Sequence, residues 1–475
     1  MTKKICDSLI KQSKNKYKSF LDDYSKSVIN EEASVFIGTG LSMNSGLPSW
    51  KKLLEPCLNE LNMQKIENPD LYKVAQYYAN RFSDSKLRSL VNSQINNFYN
   101  SNFILENLLK IRFKSIWTTN YDNLIENELT KRHVLHNVVF DEKNLSQIST
   151  YDKVNIFKIN GDYSDPQNMV LTQHDYENYE RSHSLFLTFL KKELVSNSFL
   201  FIGYSFADQI ILNCLSQTME LLGGAGNLHY AFVYVDSNVT QEIEYRAEDL
   251  RKRYNVECIF VDAKSLQELI LRLVEKVNRN KIFISGAYYD VPHEIDLFAD
   301  DLSRELVVSL LNNGKRISSG VGRRLGTYVT GYAHQYLAEK GIDNPQRYLS
   351  MRPFPFHLEL TDGQKEYYRT LMEQDCSTAI FMFGQSEHTS LAGGYDKTGH
   401  YSFGVYQEYL IAKSLGLRII PIGSTGYESK IILDEIKSDI NSFYYLSKKI
   451  DVLENEKDPK RLARIVNSIL VQDNN

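Results

Sequence analysis

The chain has 475 residues, more than one ordinary hydrophobic core holds, and about 150 residues per domain would give two or three units. Its 55 basic and 59 acidic side chains leave a formal net charge of −4, which excludes the broad positive field of a nucleic-acid binder and leaves only local basic patches. Five cysteines, Cys6, Cys57, Cys214, Cys258 and Cys376, form no C-x-x-C pair, so neither a disulfide framework nor a zinc site is encoded and a reducing cytoplasmic setting is expected.

The opening Met-Thr-Lys-Lys-Ile-Cys-Asp-Ser leads into a lysine-rich stretch without the apolar segment of an export signal. Tyr17, Phe20, Leu21 and Tyr24 share one helical face, predicting a helix over 16–29, and Ser34 to Ile37 then reads as a strand ending at Gly38. Further strands are predicted at 115–118, 155–159, 199–202, 231–235 and 258–261. The most apolar window, 185–206, is broken by Lys191, Lys192 and Glu193, so it reads as a helix over 185–195 and a buried strand rather than a membrane span. A charged stretch, Glu275 to Lys281, marks a boundary near 280. Beyond it strands at 282–285, 316–318, 378–383 and 418–422 alternate with helices around 295–311, 324–340, 406–415 and 427–440. Such alternation predicts an α/β chain of two Rossmann-like parallel-sheet domains, residues 1–279 and a smaller 280–475.

Three predicted strands end in polar segments. After the first comes Gly38-Thr-Gly-Leu-Ser42, whose glycines at 38 and 40 would let phosphate oxygens approach the backbone while Thr39 and Ser42 offer hydroxyls; a tight strand-to-helix turn is the plainer alternative. After the second, Thr118-Thr-Asn-Tyr-Asp122 sets the amide of Asn120 and the carboxylate of Asp122 where α/β folds present ligand-binding groups, although an isolated Asn there also caps a helix. The third gives Ile159-Asn-Gly-Asp162. A fourth, Gly203-Tyr-Ser-Phe-Ala-Asp208, would clamp an adenosine through Gly203 and Ser205, or act as an ordinary N-cap.

Taken in order, G-T-G-L-S…S-G-L-P, T-T-N-Y-D, I-N-G-D and G-Y-S resemble the sirtuin superfamily over roughly residues 30 to 270, closer to its bacterial defence branch than to protein deacylases, which usually carry a four-cysteine zinc module. The resemblance implies NAD as substrate, no metal, Asn120 orienting ribose or water, and Gly38, Thr39, Gly40, Ser42, Thr118, Gly203 and Ser205 around the dinucleotide. It also implies a histidine before Gly161-Asp162 as general base. Here that position is Asn160, whose amide cannot accept a proton in a transition state, a role worth ~10²- to 10⁴-fold. The chain is therefore expected to bind NAD and turn it over poorly, with Asn120, Asn160 and Asp122 as its catalytic positions. Two origins compete, a natural variant using another base and an enzyme trapped by exchange of the histidine, and the second is preferred. Among the histidines, His174 is the nearest to a substitute.

In the second half, Gly286-Ala-Tyr288, Ser319-Gly-Val-Gly322 with Arg324, and Gly384 with a loop carrying Lys397 and Gly404 before Glu408 would cradle a nucleotide, Lys397 or Arg324 neutralising phosphate and Glu408 accepting from ribose hydroxyls. This half resembles the SLOG family of nucleotide-binding domains, of whose hydrolase motif only the Gly404…Glu408 spacing remains, so a sensor is expected rather than a second enzyme. The pairing of the two halves resembles the effector NADases of the Thoeris antiphage system. That implies a cytoplasmic homotetramer activated by a cyclic ADP-ribose isomer from a TIR-domain partner, with neither nucleic acid nor membrane as a ligand. A sirtuin-like deacylase and a non-catalytic nucleotide sensor are the alternatives.

Overall fold

A computed structural model describes residues 2–97, 99–148, 153–236, 240, 242–289, 291–355, 358–386 and 401–471. Contacts divide the chain into two compact units, Met1–Val277 and Asn278–Asn475.

The first unit holds seven parallel strands: β1 (Ala33–Ile37), β2 (Ser115–Thr118), β3 (His136–Val139), β4 (Val154–Lys158), β5 (Ser198–Ile202), β6 (His229–Tyr234) and β7 (Val256–Val261), in the order β3-β4-β2-β1-β5-β6-β7. Strands β1 and β5 are buried along their whole length, as their unbroken Ala-Ser-Val-Phe-Ile and Ser-Phe-Leu-Phe-Ile runs require in a sheet covered on both faces. Alternation sorts their side chains between two cores: Val35 and Ile37 pack with Ile116, Ile156 and Leu200, and Phe36 packs with Trp117, Phe157 and Phe201 on the opposite face. A single helix, Thr2–Ile29, precedes β1, extending the predicted 16–29 segment by nearly four turns.

The second unit holds β8 (Lys281–Ser285), β9 (Arg316–Ser319), β10 (Leu349–Met351), β11 (Thr378–Phe381) and β12 (Arg418–Pro421), all parallel, in the order β10-β9-β8-β11-β12. Helices His293–Asn312, Leu325–Glu339, Phe403–Ser414 and Tyr427–Ser438 lie within two residues of the positions predicted at one end or both. Strand β11 stops two residues short of the predicted 383 because Phe383 takes φ +56° and turns the chain.

In each sheet the strand order reverses beside the first strand of the unit, between β1 and β5 and between β8 and β11. At such a point the loops leaving the carboxyl ends diverge and open a crevice.

Candidate active site and nucleotide cavity

At the first reversal the two strand ends touch. Gly38 N–H donates to the Ile202 carbonyl and Gly40 N–H to that of Gly203, each at 2.9 Å. A Cβ on Gly38 would stand 2.4 Å from the Gly203 oxygen, and one on Gly203, which takes φ +65°, 2.4 Å from the Leu41 nitrogen. The glycines are thus required first by backbone-on-backbone packing. The helix that follows is one turn, Thr39–Met43, so the helix dipole expected to attract an anion there is small.

The hydroxyls of that turn are engaged with the next strand end. Thr39 Oγ1 donates to Asn120 Oδ1 (3.1 Å), Asn120 Nδ2 donates to Ser42 Oγ (2.9 Å), and Ser42 Oγ donates to Asp122 Oδ2 (3.0 Å). Thr118 Oγ1 donates to the Ile37 carbonyl and accepts from Asn120 N–H (2.7 and 2.9 Å), fixing the turn from behind. Beneath it Lys158, fully buried, donates to the carbonyls of Tyr121 (3.3 Å) and Asp122 (2.5 Å), to Glu126 Oε1 (2.7 Å) and to Asp162. Burial works against its charge, and Glu126 and Asp162 outweigh that, so its pKa is raised. The T-T-N-Y-D turn and the I-N-G-D turn are therefore tied to one cation.

A cavity of about 410 Å³ opens over this network, within the range of ligand sites. Of the sequence-predicted residues, Thr39, Gly40, Asn120, Asp122, Asn160, Gly203 and Ser205 line it. Gly38, Ser42 and Thr118 do not: the first is packed against Gly203, and the two hydroxyls are turned into the network. Trp50, Tyr72, Tyr121, Tyr176, Tyr204 and Asp208 also stand on the wall, among apolar residues such as Leu47 and Leu53, and none of these was singled out as a ligand contact in the sequence. Three wall atoms are buried without a hydrogen-bond partner: Asn160 Oδ1, Trp50 Nε1 and Tyr204 OH. Unsatisfied polar atoms around a hollow fit a ligand that completes them. An adjoining cavity of about 770 Å³ shares Gly40, Met43, Gly203, Tyr204 and Ser205 and continues to Tyr234, Arg246 and Gln267.

No histidine stands on the wall. His174, the substitute suggested by the sequence, is exposed on the short helix Gln173–Glu177. His229 is buried in β6, where burial pushes its pKa down to about 4. Burial likewise raises the carboxyls of Asp122 and Asp208 above the usual range. Among the described residues no group of three or more His, Cys, Asp and Glu could hold a metal ion, and no helix is long and apolar enough to cross a membrane.

The second reversal repeats the close approach. A Cβ on Gly286 would meet the Met382 carbonyl at 2.2 Å and one on Gly322 the Gly286 carbonyl at 2.2 Å. Above lies a cavity of about 760 Å³ on whose wall stand six of the residues singled out in the sequence, Gly286, Ala287, Gly320, Gly322, Gly404 and Glu408. Four predicted residues are placed elsewhere. Tyr288 is buried and donates to Asp296 (2.7 Å), Ser319 Oγ accepts from Val321 N–H (3.1 Å), Gly384 is packed on Glu428, and Arg324 pairs with Asp296 (3.8 Å). Lys397 lies outside the described residues. The wall's cations are instead Arg323, Lys365 and Arg369. Arg369 stacks on Phe354 (4.6 Å) with its Nε buried and unpartnered, and Glu408 accepts from Ser285 Oγ (2.5 Å) while burial raises its pKa.

Comparison with known proteins matches residues 114–259 to the SIR2-like domain family and residues 266–473 to the Sir2- and TIR-associating SLOG family. An NAD(+) hydrolase ThsA of Cytobacillus dafuensis is 30% identical over 454 residues, covering 89% of each chain. Proteins of the same name from Bacillus cereus (strain MSX-D12) and Enterococcus faecium are each 28% identical, covering 90% of both chains in the first case and 95% of this chain and 99% of the relative in the second. With two α/β units, each opening a cavity at its strand reversal, and likeness along nine-tenths of its length, the chain belongs to the ThsA family of NAD+ hydrolases.

Proposed function

We propose that this chain is an NAD+ glycohydrolase of antiphage defence, cleaving NAD to ADP-ribose and nicotinamide in the N-terminal cavity. The observation that carries this reading is the convergence of Asn120, Asp122 and residue 160 on one hollow whose wall keeps unsatisfied polar atoms. Asn120 orients the nicotinamide ribose or the attacking water, Asp122 holds the Ser42–Asn120 line, and the adenosine half extends past Gly203 and Ser205 towards Arg246. With an amide at 160 the chain is an impaired form of the enzyme.

The C-terminal cavity takes a cyclic ADP-ribose isomer, Arg323, Lys365 and Arg369 meeting its phosphates and Glu408 a ribose hydroxyl. A TIR-domain protein supplies the signal, in keeping with the TIR association named in the matching family, and a homotetramer carries the response. Five free cysteines, all buried, suit a cytoplasmic enzyme. A signal that moves an inactive form from 1:99 to 99:1 needs ~10⁴-fold preference for the active one. The test is nicotinamide release by the chain and by Asn160→His, each with and without cyclic ADP-ribose isomers. Faster release by the variant, further raised by one isomer, supports the assignment, and equal rates in all four arms reject it.

A further inference from the structure

Two carboxylates face the N-terminal cavity, and they are held differently. Asp122 is committed: Oδ2 accepts from Ser42, Oδ1 accepts from Leu124 N–H (3.1 Å), and the Lys158 ammonium stands against its carbonyl. Asp208 opens the helix Gln209–Leu221, and only its Oδ1 is used for the cap, accepting from Ile210 N–H at 2.9 Å. Its Oδ2 faces the Tyr176 hydroxyl at 3.4 Å, and that hydroxyl accepts from Asn160 Nδ2 at 3.3 Å. A carboxylate, a phenol and the amide of residue 160 thus form one line, and all three stand on the cavity wall.

The groups that sense the charge of Asp208 are Tyr72 on the helix Leu71–Arg81, Tyr121 after β2, Tyr176 and Tyr179 on the short helices after residue 172, Tyr204 after β5, and Cys214 on its own helix. Burial raises the pKa of every one of them, so all are neutral at physiological pH. Among the described residues no cation pairs with Asp208. Burial without a cation leaves it a stronger base than an exposed aspartate.

We propose that Asp208 is the proton acceptor of this site, working through the Tyr176 hydroxyl, which rests on the hydrolase reading above. The oxygen of a water bonds to C1′ of the nicotinamide ribose as the C1′–N bond breaks, and the released electron pair neutralises the pyridinium nitrogen. The water proton passes to the Tyr176 oxygen while the Tyr176 proton passes to Asp208 Oδ2. ADP-ribose and neutral nicotinamide leave, and Asp208 returns its proton to solvent. The amide at 160 holds the phenol in line.

The experiment follows nicotinamide release by the full chain from about pH 5 to about pH 9, beside NAD binding by calorimetry, for the parent, Asp208→Asn and Tyr176→Phe. Asparagine still accepts the Ile210 cap, and unchanged thermal melting verifies the fold. The parent is expected to release nicotinamide slowly, faster as pH rises through one ionisation above the usual aspartate range. Asp208→Asn should lower the rate ~10-fold or more and flatten the profile, Tyr176→Phe should lower it less, and NAD affinity should stay within about twofold. A parent-like rate and profile in either variant, or a parent that binds NAD and releases no nicotinamide above buffer, overturns the proposal and leaves the NAD site intact. Absence of NAD binding and of release in the parent and in Asn160→His alike would remove both.

Discussion

The two strand reversals share their geometry and differ in their chemistry. Each brings a glycine against the carbonyl of a neighbouring strand end and opens a crevice above it. The N-terminal wall carries two carboxylates, four tyrosines and a tryptophan, with no lysine or arginine, an environment suited to the cationic nicotinamide ring and to a reaction that ends with that charge lost. The C-terminal wall adds three cations, Arg323, Lys365 and Arg369, which suit phosphates, to three acids, Asp362, Glu366 and Glu408. The supports differ too. Under the first crevice the buried Lys158 is satisfied by two carboxylates and two carbonyls, with only Glu126 Oε2 of those carboxylate oxygens buried and unpartnered. Under the second, Glu373 is buried with neither oxygen hydrogen-bonded, and Glu428 has an unpartnered Oε1. A satisfied charge fixes its loops, whereas burial without a partner favours the protonated form of an acid and leaves its surroundings sensitive to pH and ligand.

If the first crevice is the reactive one, the largest effect belongs to Asn120→Ala. In the Asn160→His background it should lower nicotinamide release ~10²-fold or more while NAD binding, read by calorimetry, persists. A rate within about threefold of the background would break the assignment of that amide. Next comes Asn160→His itself, expected to raise the rate of the parent by an order of magnitude at least.

The second crevice is sharpened by Arg369→Ala and Glu408→Ala. Each should weaken binding of the cyclic ADP-ribose isomer proposed as activator by roughly 10-fold, as loss of a charged hydrogen bond does, without changing the basal rate. Unchanged titrations would move the ligand elsewhere. The smallest effect concerns stability. Burial raises Glu428 from 4.5 to about 7, so the fold favours its protonated form. Its contribution is full below pH 4.5 and is lost as pH rises through about 7. Glu428→Gln removes that loss: the melting temperature of the variant relative to the parent should be higher at pH 8 than at pH 5, by the equivalent of roughly 2 kcal/mol after allowance for solvent screening. An equal difference at both pH values would show that Glu428 is ionised throughout.

Much of this was legible in the sequence where local pattern and tertiary role coincide. Strands β1, β2, β4 and β5 are buried along their whole length and carry a core of large apolar residues because they are covered on both faces, and the polar segments that follow them mark the crevice. The edge strands β3, His-Asn-Val-Val, and β10, Leu-Ser-Met, escaped because a short half-exposed strand has no apolar run to announce it. Glycine-rich turns pointed to both cavities, and the finer assignments within them depended on packing. Thr118 and Tyr288 look like ligand contacts by position, yet their hydroxyls are spent on Ile37 and Asp296. Tyr176 and Arg369 lie on helices with no motif of their own, Asp208 closes the Gly203 segment as the N-cap it offered, and only the fold brings all three to a wall.

The central claim is that one dinucleotide lies across the carboxyl ends of β1, β2, β4 and β5. The most direct measurement is a crystal structure of this chain soaked with NAD. The nicotinamide ribose should lie within hydrogen-bonding distance of the Asn120 amide and residue 160, with the adenosine beyond Ser205. A hollow filled by Trp50, Tyr72 and Tyr176, with NAD bound elsewhere or not at all, would contradict it.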